Sequence, residues 1–304
     1  MDNRITMLKK GDLLRLIDEV SARALASGAL LPISTASEYV GDNGVRFVVR
    51  ILSNLLRKDE DRLKRAQQKK GNPFLPYEKD LFVTELSPTH LALLNKFNVM
   101  ERHLLIVTRQ FEEQEDLLNS SDFEALWTCM GEYDAVGFYN GGEAAGASQA
   151  HKHLQIVPLP LADQGPAIPI QPLVDEVKEI GKITRLRNFA FQHCFALFEL
   201  DSSGFPLSPV SQSFGLFKDM LSELGMSVPR EGATMKQSGP YCLVVTRQWM
   251  LLVPRSQEFY HDISINSLGF AGCLLVRKPE HLELFTKETG PFDLLREVSL
   301  PLRK

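Results

Sequence analysis

The chain has 304 residues, 44% of them hydrophobic and 24% charged, enough to bury one large core or two smaller ones. Its net charge of −4, from 34 basic and 38 acidic side chains, speaks against an extended nucleic-acid surface, although a local positive field would still accept a small polyanion. No apolar run approaches membrane-spanning length, and Met1-Asp2-Asn3-Arg4 opens without an apolar leader. Cys129, Cys194, Cys242 and Cys273 are scattered and form no CxxC pair, so the expectation is reduced thiols in a cytoplasmic protein.

In chain order, Asp12 to Ser27 reads as an amphipathic helix with Leu13, Leu16, Ile17 and Val20 on one face. Val45 to Leu52 is strand-like. Arg57 to Lys70 carries both charge signs and reads as a solvated segment or as a lid bringing a cation to a polyphosphate. Gly71-Asn72-Pro73-Phe74-Leu75-Pro76 closes it as a turn. Leu91 to Phe97 and His103 to Thr108 follow as strand, turn, strand. Ser121-Asp122-Phe123-Glu124 predicts a capping box, with Phe123, Leu126, Trp127 and Met130 as the buried stripe of its helix. Ala135 to Asn140 is a short strand, and Gly141 to Gln149 is the loop after it.

That loop runs into His151-Lys152-His153-Leu154-Gln155-Ile156-Val157. Strand side chains alternate, so His151, His153 and Gln155 share one face, and Leu154 and Ile156 enter a core on the other. Glycine loops cradle phosphate with backbone N–H groups. A neighbouring histidine can attack phosphorus and hold the transferred group covalently. His153 lies deeper in the strand and beside Gln155, so it is the expected nucleophile, with His151 as a phosphate or orienting contact. Its attacking nitrogen must be neutral, which asks the other nitrogen to donate to a backbone carbonyl. Gln155 can hydrogen-bond a phosphoryl oxygen but cannot shuttle a proton, which favours transfer between phosphates over hydrolysis. His-x-His spacing also suits a metal pair, but no third ligand has a fitting spacing. His90, His103, His193, His261 and His281 read as structural.

Prolines 158, 160, 166, 169 and 172 mark a crossing stretch or lobe boundary. Arg187 to Leu200 alternates weakly. Ser208-Pro209 opens a helix to Leu224, stopped by Gly225. Tyr241 to Val253 reads as a hairpin, and Ser267 to Val276 mixes small and apolar residues. Leu104 to Gln110 resembles Leu243 to Gln248, a hint of internal duplication.

The block from His151 to Val157 resembles the signature of the transferase branch of the histidine triad superfamily. With Gly146-Ala147-Ser148-Gln149 before it, the chain is similar to the diadenosine tetraphosphate phosphorylases, also called ATP adenylyltransferases. Asn95-Lys96-Phe97, Asn140-Gly141-Gly142 and Asn266 to Gly272 match as well, and the likeness runs from about Phe47 to Arg277. It implies an α+β, histidine-triad-like fold of two related halves, each with an antiparallel sheet flanked by helices. Residues 1–172 would form the catalytic half and 173–304 the half completing the nucleotide site. It implies that His153 takes an adenylyl group from diadenosine tetraphosphate and passes it to phosphate, giving ATP and ADP. Ser148, Gln149 and His151 would line the phosphates, Gln155 would contact the transferred group, and Asn95, Lys96 and Asn140 would bind nucleotide. Asn266, Ser267 and Leu268 would close over the distal nucleotide or the polyphosphate. Lys58 would reach the phosphates. Cys273 and Arg277 stand where the family usually has Met and Lys, a departure that bears on the second nucleotide.

Mg²⁺ is expected with the polyphosphate rather than as a resident metal. The expected partners are dinucleoside polyphosphates, ATP, ADP and phosphate, with neither nucleic acid nor membrane. Adenylyl transfer between ADP and sulfate, or nucleotide binding without catalysis, are the alternatives. The sugar-1-phosphate uridylyltransferases share the His-x-His-x-Gln core, but their metal-binding cysteine and histidine pattern is missing here.

Overall fold

The computed structural model describes residues 8–52, 71–230, 232–287 and 289–303. The chain first makes helix α1 (Leu13–Ser27) and the strands β1 (Thr35–Asp42) and β2 (Val45–Leu52). Then come β3 (Phe82–Glu85), β4 (His90–Leu94), β5 (Leu104–Thr108), α2 (Ser120–Met130), β6 (Ala135–Gly141) and β7 (His153–Pro158). The later elements are α3 (Gln171–Val174), β8 (Cys194–Leu197), α4 (Pro209–Glu223), β9 (Tyr241–Val245) and β10 (Trp249–Pro254). A two-residue hairpin, β11 (Phe259–Tyr260) and β12 (Ile263–Ser264), leads to α5 (Ser267–Phe270), β13 (Cys273–Val276), α6 (Glu280–Lys287) and α7 (Pro291–Glu297). Among the described residues no helix is long and apolar enough to cross a membrane.

The α+β architecture takes the form of one eight-stranded sheet, ordered β3-β4-β5-β7-β6-β9-β10-β8. Every neighbouring pair in it is antiparallel. The two expected groups of strands are joined edge to edge, where β6 pairs with β9 from Gly137↔Val245 to Gly141↔Tyr241. One face carries α1, α2 and α4, whose apolar stripes meet Leu154 and Ile156 of β7. On the other face a three-stranded sheet, β1-β2-β13, shares a second core with Phe138 and Val157. On that same face Phe74, Leu91, Leu93, Leu105 and Val107 form a small separate cluster. His153 and Gln155 pair with Val107 and Leu105, so they emerge between this cluster and the larger core.

Three local expectations change. The capping box of α2 lies two residues earlier than Ser121–Glu124. The Asn119 side chain accepts the Ser121 and Asp122 N–H groups, and the Asp122 carboxylate accepts the Asn119 N–H at 2.7 Å. An Asx residue caps as well as serine, and the buried Asp122 has further partners to satisfy. The first strand of the 91–108 pair stops at Leu94, because the Asn95 carboxamide turns the chain by accepting the Phe97 N–H at 3.2 Å. From Arg187 to Leu200 only Cys194–Leu197 is strand, since Phe189 and Phe191 enter the core and Gln192 bonds Leu300 and Pro301.

Candidate active site

Strand pairing holds the His151–Val157 block from both sides, with β5 against one edge of β7 and β6 against the other. His151 lies just before β7, in a bridge with Glu113. The Gln114 side chain clamps the junction. Its Oε1 accepts the His153 N–H at 2.9 Å, and its Nε2 donates to the Asn140 carbonyl at 2.9 Å and the His153 carbonyl at 3.2 Å. Beneath, Lys152 points to the helical face and is fully buried. It pairs with Asp122 at 2.9 Å and Glu112 at 3.1 Å, and Asp122 also binds His90 at 3.0 Å. Burial alone would raise the Asp122 carboxyl, but Lys152 and His90 hold it below the usual carboxylate range.

His153 is 4% exposed, and its Nδ1–H donates to the His151 carbonyl at 2.9 Å. That bond fixes the tautomer and leaves the Nε2 lone pair without a partner among the described residues. Burial, with His151 nearby, lowers its pKa to about 4, so the ring is neutral at pH 7. His151 is held at both nitrogens. Its Nε2–H faces the Thr108 carbonyl at 2.8 Å and the Gln110 carbonyl at 3.2 Å, while Nδ1 accepts from Asn72 Nδ2 at 2.9 Å. Burial lowers its pKa too. Both ring nitrogens of His151 are thus engaged.

Gln155 is held by His103, a residue the sequence alone left as structural. His103 Nε2–H donates to Gln155 Oε1 at 2.9 Å, and its Nδ1 faces Asn95 Nδ2 at 3.3 Å. Burial lowers the His103 pKa to about 4, against the raising effect of the Gln155 bond. The Gln155 carbonyl oxygen is thus engaged, and its amide hydrogens remain as donors.

The remaining predicted residues fall into groups. Gly142 and Gly146 adopt φ of +91° and +92° around a 3-10 turn at Glu143–Ala145. A Cβ on Gly146 would stand 3.1 Å from both Asn266 Cβ and the Ile265 carbonyl, so glycine lets the loop touch the C-terminal half. Beyond it, the N–H groups of Ser148 and Gln149 have no acceptor among the described residues. Asn140 and Ser267 are buried and commit their side chains to each other, at 2.7 Å. Asn266 caps α5 by accepting the Leu268 N–H at 3.0 Å. Lys96 pairs with Glu78 at 2.6 Å. Cys273 is buried near Arg50, and Arg277 is exposed four residues after it, just past the end of β13. Lys58 lies outside the described residues.

Sequence reasoning missed His103, Gln114, Asn72 and Phe74. The first becomes visible only once β5 is registered against β7, a non-local pairing. Asn72 and Phe74 read merely as turn residues.

A buried, neutral strand histidine, a fixed glutamine and a glycine loop on this sheet define a histidine-triad-like site. The chain belongs to the Ap4A phosphorylase family, where Ap4A is diadenosine 5',5'''-P1,P4-tetraphosphate. Residues 3–176 match the Ap4A phosphorylase N-terminal domain, and residues 187–301 match the ATP adenylyltransferase C-terminal domain. The chain is 26% identical to Protein APA1 of Saccharomyces cerevisiae, over 95% of this chain and 93% of that one. It is 28% identical to diadenosine 5',5'''-P1,P4-tetraphosphate phosphorylase 2 of the same yeast, over 75% of each. Its fold is similar to yeast Ap4A phosphorylase Apa2 in complex with AMP, with a TM-score of 0.76, 23% identity and coverage of 98% of this chain and 100% of that one. The same enzyme in complex with Ap4A gives a TM-score of 0.75 with the same identity and coverage.

Proposed function

We propose that this protein is a nucleotidyltransferase that splits Ap4A with phosphate into ATP and ADP, reversibly, through an adenylyl group carried on His153. The observation that carries the reading is the His153 ring, neutral, anchored at Nδ1 and open at Nε2. The Nε2 lone pair attacks the α-phosphorus of one adenylate, and the bond to the bridging oxygen breaks. ATP leaves with that electron pair, needing no general acid because a polyphosphate is a good leaving group. The Nδ1–H bond to the His151 carbonyl disperses the positive charge that develops on the ring. A phosphate oxygen then attacks the adenylyl phosphorus, the P–N bond breaks, its electron pair returns to Nε2, and ADP departs.

In this reading the Gln155 amide donates to a non-bridging oxygen of the transferred group, held to that task by His103. The Ser148 and Gln149 amides and side chains take neighbouring phosphates, with Lys58 supplying positive charge. Asn95 and Lys96 meet the first nucleoside, and Asn266, Leu268, Cys273 and Arg277 the second. Asn140 and Ser267 act by tying the halves together at that cleft. Mg²⁺ arrives as counter-ion of the polyphosphate, whose oxygens are its preferred ligands. A cytoplasmic location is proposed on the cysteine pattern.

The test is incubation with Ap4A and Mg²⁺, with and without phosphate, followed by chromatography and intact-protein mass. ATP and ADP only with phosphate, and an AMP-sized mass addition without it, are expected. Sulfate replacing phosphate as the better acceptor would reassign the second substrate, and no product with no adduct would reduce the protein to a binder.

A further inference from the structure

Phe74 contributes no polar atom to the site, yet it touches both histidines. Its ring centroid lies 5.3 Å from that of His153, tilted by 58°, and 5.6 Å from that of His151, edge-on at 67°. It is 6% exposed. The turn that carries it is tied to the catalytic block. Asn72 Oδ1 accepts the Phe74 N–H at 2.9 Å while Asn72 Nδ2 donates to His151 Nδ1, so one carboxamide fixes both the ring's backbone and the orienting histidine. Across His151 a second ring, Phe111, stands 5.4 Å away and is 52% exposed. Phe74, His151 and Phe111 thus form an aromatic wall running from the buried nucleophile to solvent.

We propose that Phe74, held by Asn72 and extended by Phe111, is the specificity determinant that keeps water away from the adenylyl-histidine and so directs its breakdown to phosphate. The inference rests on the proposed phosphorylase reading and deepens it. The intermediate can be opened by either nucleophile. Water would form the new P–O bond, release AMP, return the P–N electron pair to Nε2 and lose a proton to solvent. Phosphate forms the same bond to give ADP and has no proton it must lose. Gln155 cannot take the proton from water, which slows hydrolysis but does not keep water out. Both nucleophiles approach in line, from the side of phosphorus opposite Nε2. The apolar wall therefore acts by offering water no hydrogen-bonding partner beside the intermediate, whereas phosphate has the Ser148 and Gln149 N–H groups, free among the described residues, to bind it.

The experiment uses the full-length protein preloaded with Ap4A and Mg²⁺ in the absence of phosphate. Phosphate is then added at several concentrations, and AMP and ADP are quantified from the adenylyl-enzyme. In the wild type ADP dominates. Phe74→Ala raises the AMP to ADP ratio about tenfold at fixed phosphate, whereas Phe74→Leu, still apolar and bulky, stays near the wild-type ratio. Phe111→Ala, at a ring that is half exposed, raises it about threefold and carries the test if Phe74→Ala does not fold. An unchanged ratio in variants that still adenylylate overturns the proposal, even if their turnover falls, because a packing role predicts slower chemistry without a new product balance. Failure of the underlying reading looks different: the wild type itself forms no adenylyl-enzyme, and both ideas fall.

Discussion

His153 and His193 are built alike. Each donates Nδ1–H to the carbonyl two residues before it at 2.9 Å, from His151 in one case and Phe191 in the other. Each packs against phenylalanine, at 5.3 Å for Phe74 on His153 and 5.0 Å for Phe189 on His193. Burial brings both to a pKa of about 4. They part at Nε2. His193 accepts the Leu186 N–H there at 2.8 Å, whereas Nε2 of His153 has no partner among the described residues. The same local device gives a structural bridge in one region and a candidate nucleophile in the other. What separates them is whether the last lone pair is occupied, a difference that neither burial nor pKa would reveal.

Substitution breaks this comparison most directly. His153→Ala is expected to abolish the AMP-sized adduct and lower kcat by at least about 10⁴-fold, as removal of a covalent nucleophile does. A labelled adduct surviving in that variant sinks the assignment. His193→Ala should leave turnover per folded molecule unchanged. It strands the buried Leu186 N–H and should cost about 1–3 kcal/mol, read from denaturant unfolding.

Acid should act on both histidines at once, and His103 shares their behaviour. All three have pKa values lowered from 6.5 to about 4. Above pH 6.5 the folded and unfolded chains both hold them neutral, so they make no difference to stability. Between 6.5 and about 4 the unfolded chain binds protons that the folded chain refuses, and stability falls as pH falls. Each residue contributes about 1.4 kcal/mol per pH unit within that window, or about 4 for the three. Unfolding free energies at a series of pH values measure the slope, which His193→Ala should reduce by about one third. An unaltered slope would mean that His193 is not held neutral by its site.

Much of this was legible from residues, and the limit is physical. Alternation placed His153 and Gln155 on one face and Leu154 and Ile156 on the other, because strand geometry is local. Asn119 rather than Ser121 is the cap, which sequence does not distinguish because several polar residues in a row can each begin a helix. His103, Gln114 and Asn72 could not be assigned, because their partners lie 52, 39 and 79 residues away. Lys152 is the sharpest case. It stands between two site histidines in sequence, yet alternation sends it through the sheet to Asp122.

The smallest expected effect concerns His103, which in the proposed reaction acts on the transferred group through Gln155. A free carboxamide turns readily, and half of its orientations would present Oε1 rather than the amide hydrogens to a phosphoryl oxygen. The His103 Nε2–H at 2.9 Å from Oε1 removes that ambiguity, and Asn95 at Nδ1 keeps the histidine in the donating tautomer. His103→Leu should therefore lower kcat about tenfold with KM nearly constant, because the donor matters most to the charge that develops in transfer. His103→Gln, which keeps an N–H within reach, should recover most of the loss. If instead both variants raise KM equally and leave kcat alone, His103 merely shapes the nucleotide pocket, and the contrast between an occupied and an oriented polar group would not extend from the histidines to Gln155.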